Sequence, residues 1–340
     1  MHEAPPAAHV IRGHRRPGRP GRSGRLEHPA TGLVLALASA AAFGGSGPFV
    51  KPLLEAGWSP SAAVAVRTGA AGLLLVPLAL AAVRWQPRAL SAAWREVLPY
   101  GLVAVAGTQL CYFAAIERLP VGVALLIEYL GPVLLVLHMW ATTRHRPSPV
   151  TLVGAMVATG GLFFVLDLTG ATNLDPIGVT WALGAAVCLA CYFALSARGG
   201  NGGGELPVLA LTASGLLLGA VATAAVGAVG FFPLTASTGN VELFGSSVSW
   251  LVPMAVIVVV STSFAYVSGV EAATRLGARL ASFVGLAEVM FAVLLSWALL
   301  DETPTVVQAL GGALILVGVV LVRSGHDSAD DTVRPAPDAP

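Results

Sequence analysis

The chain has 340 residues, 56% of them hydrophobic and only 11% charged, with a net charge of +1 at neutral pH. Soluble domains usually carry about 25% charged residues, so this composition excludes an ordinary soluble protein and points to a polytopic membrane protein. No nucleic-acid partner is expected.

Taken in chain order, residues 1–31 are rich in Arg, Pro and Gly and are expected to form a disordered basic cytoplasmic tail. Arg15 and Arg16 hint at an export signal, but no A-x-A-like cleavage site follows them. Ten apolar segments come next, at 32–52, 60–83, 97–116, 120–141, 149–168, 176–197, 206–229, 249–270, 277–299 and 304–323. Each is near the length of about 20 residues that crosses a bilayer, so the lipid bilayer is an expected partner. The longer connections are "ARGGNGGGELP" and "FFPLTASTGNVELFGSS". Residues 324–340, rich in Asp and Pro, are expected to be a second disordered cytoplasmic tail. Cys111, Cys188 and Cys191 lie inside apolar segments, where they read as packing residues rather than a metal or redox centre. No cofactor or metal is implied.

Placing the N-terminus in the cytoplasm puts sixteen arginines on the inner side and only Lys51 and Arg118 outside, with Arg67 inside a span. That bias sets the orientation, with both termini cytoplasmic and the chain in the cytoplasmic membrane.

The two halves echo each other. Trp140, Pro147, Gly154 and Gly161 recur as Trp297, Pro304, Gly311 and Gly318, each shifted by 157 positions, and Tyr112 and Glu117 recur as Tyr266 and Glu271, shifted by 154. Glycines seven apart share one helix face and allow close packing. Five spans per unit is an odd number, so the second unit must enter the membrane inverted. The expected fold is an all-α polytopic membrane protein of ten transmembrane helices, arranged as two inverted five-helix repeats over 32–168 and 169–323. Such repeats are the architecture of many secondary transporters, with the site near the midplane.

Charges buried in this apolar chain mark the candidate site. At 1.5 Å per residue, Glu128 lies about 12 Å from the outer edge of the fourth span and Glu288 about 16 Å from the inner edge of the ninth. An ionised carboxylate at such depth costs at least about 2.5–3.5 kcal/mol, so each should face a cavity or a partner. Desolvation favours the protonated form, which makes a proton a candidate co-substrate. Pro132 has no N–H and leaves the carbonyl of Glu128 without its helical donor, and Gly131 beside it leaves room for a ligand or a neighbouring helix. Gly47 and Pro48 in "FGGSGP" make a similar break in the first span. Arg67, about 10 Å from the outer edge of the second span, has three readings: pairing with Glu128, holding a substrate carboxylate, or snorkelling to the interface. Gln109, Tyr112, Tyr129 and Tyr266 are further polar-tipped candidates for binding a small-molecule substrate.

At these residues the chain resembles a known family. "AIERLPVGVALLIEYLGPVLLVL" (Ala115–Leu137) and the stretch Ser261–Val322 are similar to EamA-type carriers of the drug/metabolite transporter superfamily, and in pattern most like the threonine/homoserine exporter subgroup. The resemblance implies a ten-helix inverted-repeat fold whose cavity is lined by spans one to four and six to nine, with the fifth and tenth peripheral. It also implies export of amino acids or related metabolites. Arg67 matches a position where the family often has Arg. Glu288 matches the Glu of an E-P pair in the ninth span, with Val289 in place of the proline.

Two other classes fit the sequence less well. Gly44-Gly45-Ser46-Gly47 fits G-x-S-G and His138 could serve as its base, but Ser46 lies about 21 Å from the inner face and His138 within about 5 Å of it, too far apart for an intramembrane serine protease dyad. No P-loop or H-E-x-x-H is present. A membrane scaffold or sensor without flux would have little partner surface in such short loops.

Overall fold

A computed structural model describes residues 29–86, 88, 92–119, 121–143, 147–165, 174–199, 206–300 and 305–331. Apart from Pro29–Thr31, which are already helical, the expected N-terminal tail lies outside the described residues, as do Arg144, Arg146 and the end of the C-terminal tail.

The described chain is predominantly helical, with one β-hairpin and short turns and irregular connections. In chain order the α-helices are α1 (Pro29–Gly44), α2 (Ser46–Glu55), α3 (Pro60–Ala82), α4 (Trp94–Pro99), α5 (Thr108–Ile116), α6 (Val121–Glu128), α7 (Gly131–Thr143), α8 (Pro149–Val165), α9 (Pro176–Ser196), α10 (Val208–Ala228), α11 (Leu251–Val256), α12 (Ala265–Gly285), α13 (Ala287–Leu300) and α14 (Val306–Asp331). Two π-helical runs, Tyr100–Gly107 and Ile257–Phe264, join α4 to α5 and α11 to α12. Among the described residues, eight continuous helical stretches are long and apolar enough to cross a membrane, and Pro149–Val165 and Ala287–Leu299 are shorter apolar helices.

The start signals are local. Pro60 and Pro176 open α3 and α9 at the first helical position, where a missing N–H costs nothing. Ser59 caps α3 by accepting from the Ala62 N–H, and Asp175 caps α9 by accepting from the Ile177 N–H. That backbone donor, and then the Arg118 guanidinium 3.1 Å away, hold the Asp175 carboxyl below the usual carboxylate range.

The ninth segment departs from expectation. The segments at 249–270 and 277–299 leave residues 271–276 as a connection. These residues are instead helical, with Arg275 bonded to Glu271 one turn earlier, and the helix is broken by a kink at Gly277, whose φ of 77° suits glycine. Residues 278–285 therefore belong structurally to the ninth segment, which explains why α13 alone is short. At the C-terminus, α14 runs to Asp331, past the expected start of the tail at Ser324. The Ser324 hydroxyl bonds back to the Val320 carbonyl, and a Cβ on Gly325 would fall 2.5 Å from the Thr151 hydroxyl. The long connection after α10 contains an antiparallel hairpin, β1 (Asn240–Leu243) with β2 (Ser246–Ser249), turned by Phe244 and Gly245, both at positive φ.

Packing pairs helices across the two halves. α8 lies along α14 and α3 along α10, while α1 packs on α12 and α9 on α5. The seven-spaced glycines make the first seam. A Cβ on Gly161 would stand 2.6 Å from the Gly311 carbonyl oxygen, and one on Gly311 would stand 2.6 Å from that of Gly161. Backbones so close gain dispersion contact that bulkier residues would forbid. Gly161→Ala should therefore lower the stability of the folded chain by about 1–3 kcal/mol. Gly160→Ala, where nothing lies within 4 Å, should leave it unchanged, and thermal unfolding in detergent compares the two.

Candidate functional site

The polar residues of the sequence pattern converge. A cavity of about 230 Å³ is lined by Arg67, Gln109, Tyr112, Glu128, Tyr129, Tyr266 and Glu288, all seven of the candidates. They arrive from α3, α5, the broken pair α6–α7, α12 and α13. The broken helices bring them together. The fourth segment stops at Glu128 and restarts at Gly131, so Glu128 and Tyr129 sit at a helix end rather than in a continuous ladder. The first segment breaks at Gly45, within the "FGGSGP" stretch. The ninth breaks at Leu286 although Val289 replaces the expected proline. Without proline the break rests on turn bonds, from the Leu286 N–H to the Phe283 carbonyl and from the Val289 N–H to the Leu286 carbonyl.

The two breaks are related by the same shift of 157 positions, Tyr129 corresponding to Leu286, and so are the two π-helical runs. At that shift Glu128 corresponds to Gly285 and Gly131 to Glu288. Each broken helix thus carries one acid and one glycine on opposite sides of its break, in exchanged order. The glycines accept neighbours. Gly131 faces the Ala186 carbonyl of α9 and Gly285 faces the Phe193 ring, so Gly131 makes room for a helix rather than for a ligand. Gly44 similarly seats the backbone of Glu288, whose carbonyl oxygen would be 2.5 Å from an added Cβ. Gly47, by contrast, has open space, and neither Gly47, Pro48, Gly131 nor Pro132 lines the cavity. They shape the helices that do.

Within the cavity the charges are not arranged as depth alone suggested. The electrostatic neighbours of Arg67 are Tyr266 and Glu288, not Glu128. Glu288 also has the Tyr129 hydroxyl within hydrogen-bonding range. Glu128 faces Glu288 and the Cys111 thiol, with Tyr112 near both acids. Depth fixes a residue's height but not its direction around the helix, so the equal heights of Arg67 and Glu128 did not make them a pair. The Arg67 Nε is buried and has no hydrogen bond among the described residues. A guanidinium with an unused donor beside an open volume can take a carboxylate.

Several lining residues carried weaker signals. Ser39 is a hydroxyl in an alanine-rich span, and it donates to the Ala265 carbonyl at 2.8 Å, tying α1 to α12. Tyr192 and Thr108 also line the cavity. The chain has five tyrosines; four line the cavity, and the fifth, Tyr100, lies 6.1 Å from the Tyr192 ring. Their scarcity was the available signal. Gly269 leaves space for Ser39 and Tyr192 together, since a Cβ there would be 2.7 and 2.8 Å from their hydroxyls. Ser46 lines the cavity as well, but His138 is exposed and does not, which removes the serine–histidine dyad. The three cysteines are free thiols. None of the described lining residues comes from the fifth, seventh or tenth segment, so the seventh stands outside the cavity, contrary to what the resemblance implied.

Membrane-length helices around a polar cavity, with a guanidinium and two carboxyls brought in by broken helices, define a membrane transporter rather than an enzyme. The chain belongs to the EamA-like transporter family, matching it over residues 30–167 and again over 176–324. It is 28% identical over 289 residues to the threonine/homoserine exporter RhtA of Escherichia coli (strain K12), covering 83% of this chain and 88% of that protein. The RhtA of Salmonella typhimurium (strain SL1344) is 28% identical over 272 residues, 77% of this chain and 85% of that protein. An uncharacterised inner membrane transporter, YicL of Salmonella typhimurium (strain LT2), is 26% identical over 231 residues, 67% of this chain and 72% of that protein. A solved crystal structure shares the fold, with a TM-score of 0.68 at 20% sequence identity, covering 89% of this chain and 97% of that one.

The arrangement makes one energetic prediction. If Arg67 and Glu288 offset each other's burial, Arg67→Met and Glu288→Gln should each destabilise, and the double variant should be less destabilised than their sum by about 0.5–3 kcal/mol. Thermal unfolding of the four proteins in detergent measures this, and strict additivity would mean that the two groups do not interact.

Proposed function

We propose that the chain exports an amino acid or a closely related small metabolite across the cytoplasmic membrane, by alternating access between two inverted five-helix halves and in exchange for a proton. The observation that carries this reading is the single cavity holding Arg67, Glu128 and Glu288. An amino acid presents a carboxylate and an ammonium a few ångströms apart. Arg67 has the spare donor for the first, and Glu128, which is not a neighbour of Arg67, can accept the second. The ammonium and a proton would then compete for one carboxyl, which couples their movements. The cavity's size supports a small cargo, since about 230 Å³ is below the about 300–1,000 Å³ of sites for drug-sized ligands. The RhtA relatives are threonine/homoserine exporters.

Ten spans are supported by the eight long apolar stretches and the two shorter apolar helices, the ninth being divided by its break. Inverted halves are supported by the common shift of 157 in glycines, π runs and helix breaks, by the two family matches, and by helix pairings that exchange partners between halves. Halves related in this way can open to either side by similar motions. The arginine bias supports cytoplasmic termini.

Flux in proteoliposomes holding the full chain, with radiolabelled threonine as the probe and an imposed pH gradient, tests the mechanism. Glu128→Gln should lower gradient-driven flux about tenfold or more, the equivalent of losing a contact to a charged group of about 1.5–3 kcal/mol. Unchanged, still pH-driven flux in that variant would remove the carboxyl from the mechanism.

A further inference from the structure

A second polar cluster lies beside the cavity, where transport of the cargo does not require it. The hydroxyls of Tyr100, Tyr192, Ser196 and Thr212 are all buried, and none has a hydrogen-bond partner among the described residues. Tyr100 and Thr212 are completely inaccessible and Ser196 nearly so. The four come from three elements: the first π-helical run, α9 and α10. They nonetheless face one another, Tyr100 toward Ser196 and Thr212, and Tyr192 toward Ser196. The hydroxyls lie within reach of one another but in no complete hydrogen-bond geometry, so each keeps capacity for an internal water, and leaving such groups dry costs about 1–3 kcal/mol each.

The cluster also connects two spaces. Tyr192 lines the central cavity and has Glu288 as an electrostatic neighbour. Tyr100 and Ser196 line a second, smaller pocket whose rim carries Glu96 and Arg198. Its volume of about 20 Å³ exceeds the roughly 10–15 Å³ that one water needs. The smaller pocket lies at the end of the bundle where α9 finishes and α4 begins, the end bearing Arg84, Arg95 and Arg198.

We propose that the hydroxyls of Tyr100, Tyr192, Ser196 and Thr212 hold a file of internal waters that carries protons between Glu288 in the central cavity and the pocket at Glu96 and Arg198. Each oxygen in the file takes one proton from one side as it releases another to the next, so no hydroxyl is left charged and no other reactant is needed. The cargo does not fit this route, which keeps the proton path and the cargo path separate on that side of the cavity. The charged groups that act on the file are Glu288, with Arg67 beside it, at one end and Glu96 and Arg198 at the other. At the shift of 157, Tyr100 corresponds to Ile257, Tyr192 to Leu35 and Thr212 to Glu55, and only Ser196 meets another hydroxyl, Ser39, so the other half lacks three of the four groups and the file is one-sided.

The proton role rests on the proton coupling proposed above, whereas the water file does not. Radiolytic hydroxyl-radical footprinting of the full-length protein in liposomes reads the water directly. Tyr100 should be oxidised despite its burial, far more than the equally buried Phe283, and protection of Tyr100 would overturn the file whatever the fluxes show. Flux reads the proton role. In Tyr100→Phe and Thr212→Val, which keep ring and shape, threonine/threonine exchange should stay near wild type while pH-driven threonine accumulation falls about tenfold or more. Thr212→Ser should restore it. Equal losses of exchange and driven accumulation, or undiminished driven accumulation, would overturn the proton role. A wild type with labelled Tyr100 but no pH-driven flux would overturn the coupling, and the proton role with it, while supporting the water file.

Discussion

The cost of charge in hydrocarbon governs this structure. One guanidinium and two carboxyls lie inside apolar helical segments, and any one of them facing lipid would cost at least about 2.5–3.5 kcal/mol. The cavity at Arg67, Glu128 and Glu288 is the arrangement that relieves all three at once. Neighbouring features follow from the need to surround it with backbone that bends. The helix breaks place both acids beside helix ends, and the π-helical runs fall in the two segments that wall the cavity through Ala104 and Tyr266. Glycines are spent where helices must come near, as at Gly44 against the backbone of Glu288. The rigid seam of α8 on α14 stands apart from the cavity, and its close backbone contacts give the halves a fixed place to meet.

An acid and a glycine occupy exchanged positions around the two breaks, and that exchange gives the pair of halves its asymmetry. Strict repetition would put two acids on the same side of two equivalent breaks. Here one precedes its break and the other follows. Arg67 and Tyr129 then attend Glu288, while Glu128 keeps the Cys111 side of the cavity. Two acids with different neighbours can hold different occupants, as the proposed exchange of a proton for a zwitterion would require.

Much of the fold was legible because hydrocarbon imposes a simple code: apolar runs of set length, arginines at one end, small residues where helices touch. Lone polar residues inside those runs marked the cavity, and every one of the seven candidates lines it. What was not legible depended on direction and on local backbone choice. The helical state of 271–276 was hidden by Glu271 and Arg275, which satisfy each other along the helix. The break at Leu286 has no proline to announce it. Arg67 lies at nearly the depth of Glu128, which left pairing, ligand contact and snorkelling all open, because depth does not say which way a side chain points; the groups acting on it are Tyr266 and Glu288. Tyr192 was overlooked beside two cysteines, although its phenol is as rare in these segments as the residues that were noticed.

The central claim is that water reaches the buried acids. It is tested most directly by single cysteines in a chain whose Cys111, Cys188 and Cys191 have been replaced by serine. Glu128→Cys and Ser39→Cys lie in the cavity, and Ala158→Cys lies in the closed seam between α8 and α14. A small membrane-impermeant thiol reagent applied from each side of the membrane should modify the first two and spare the third. Failure to modify positions 128 and 39 from either side would contradict the account.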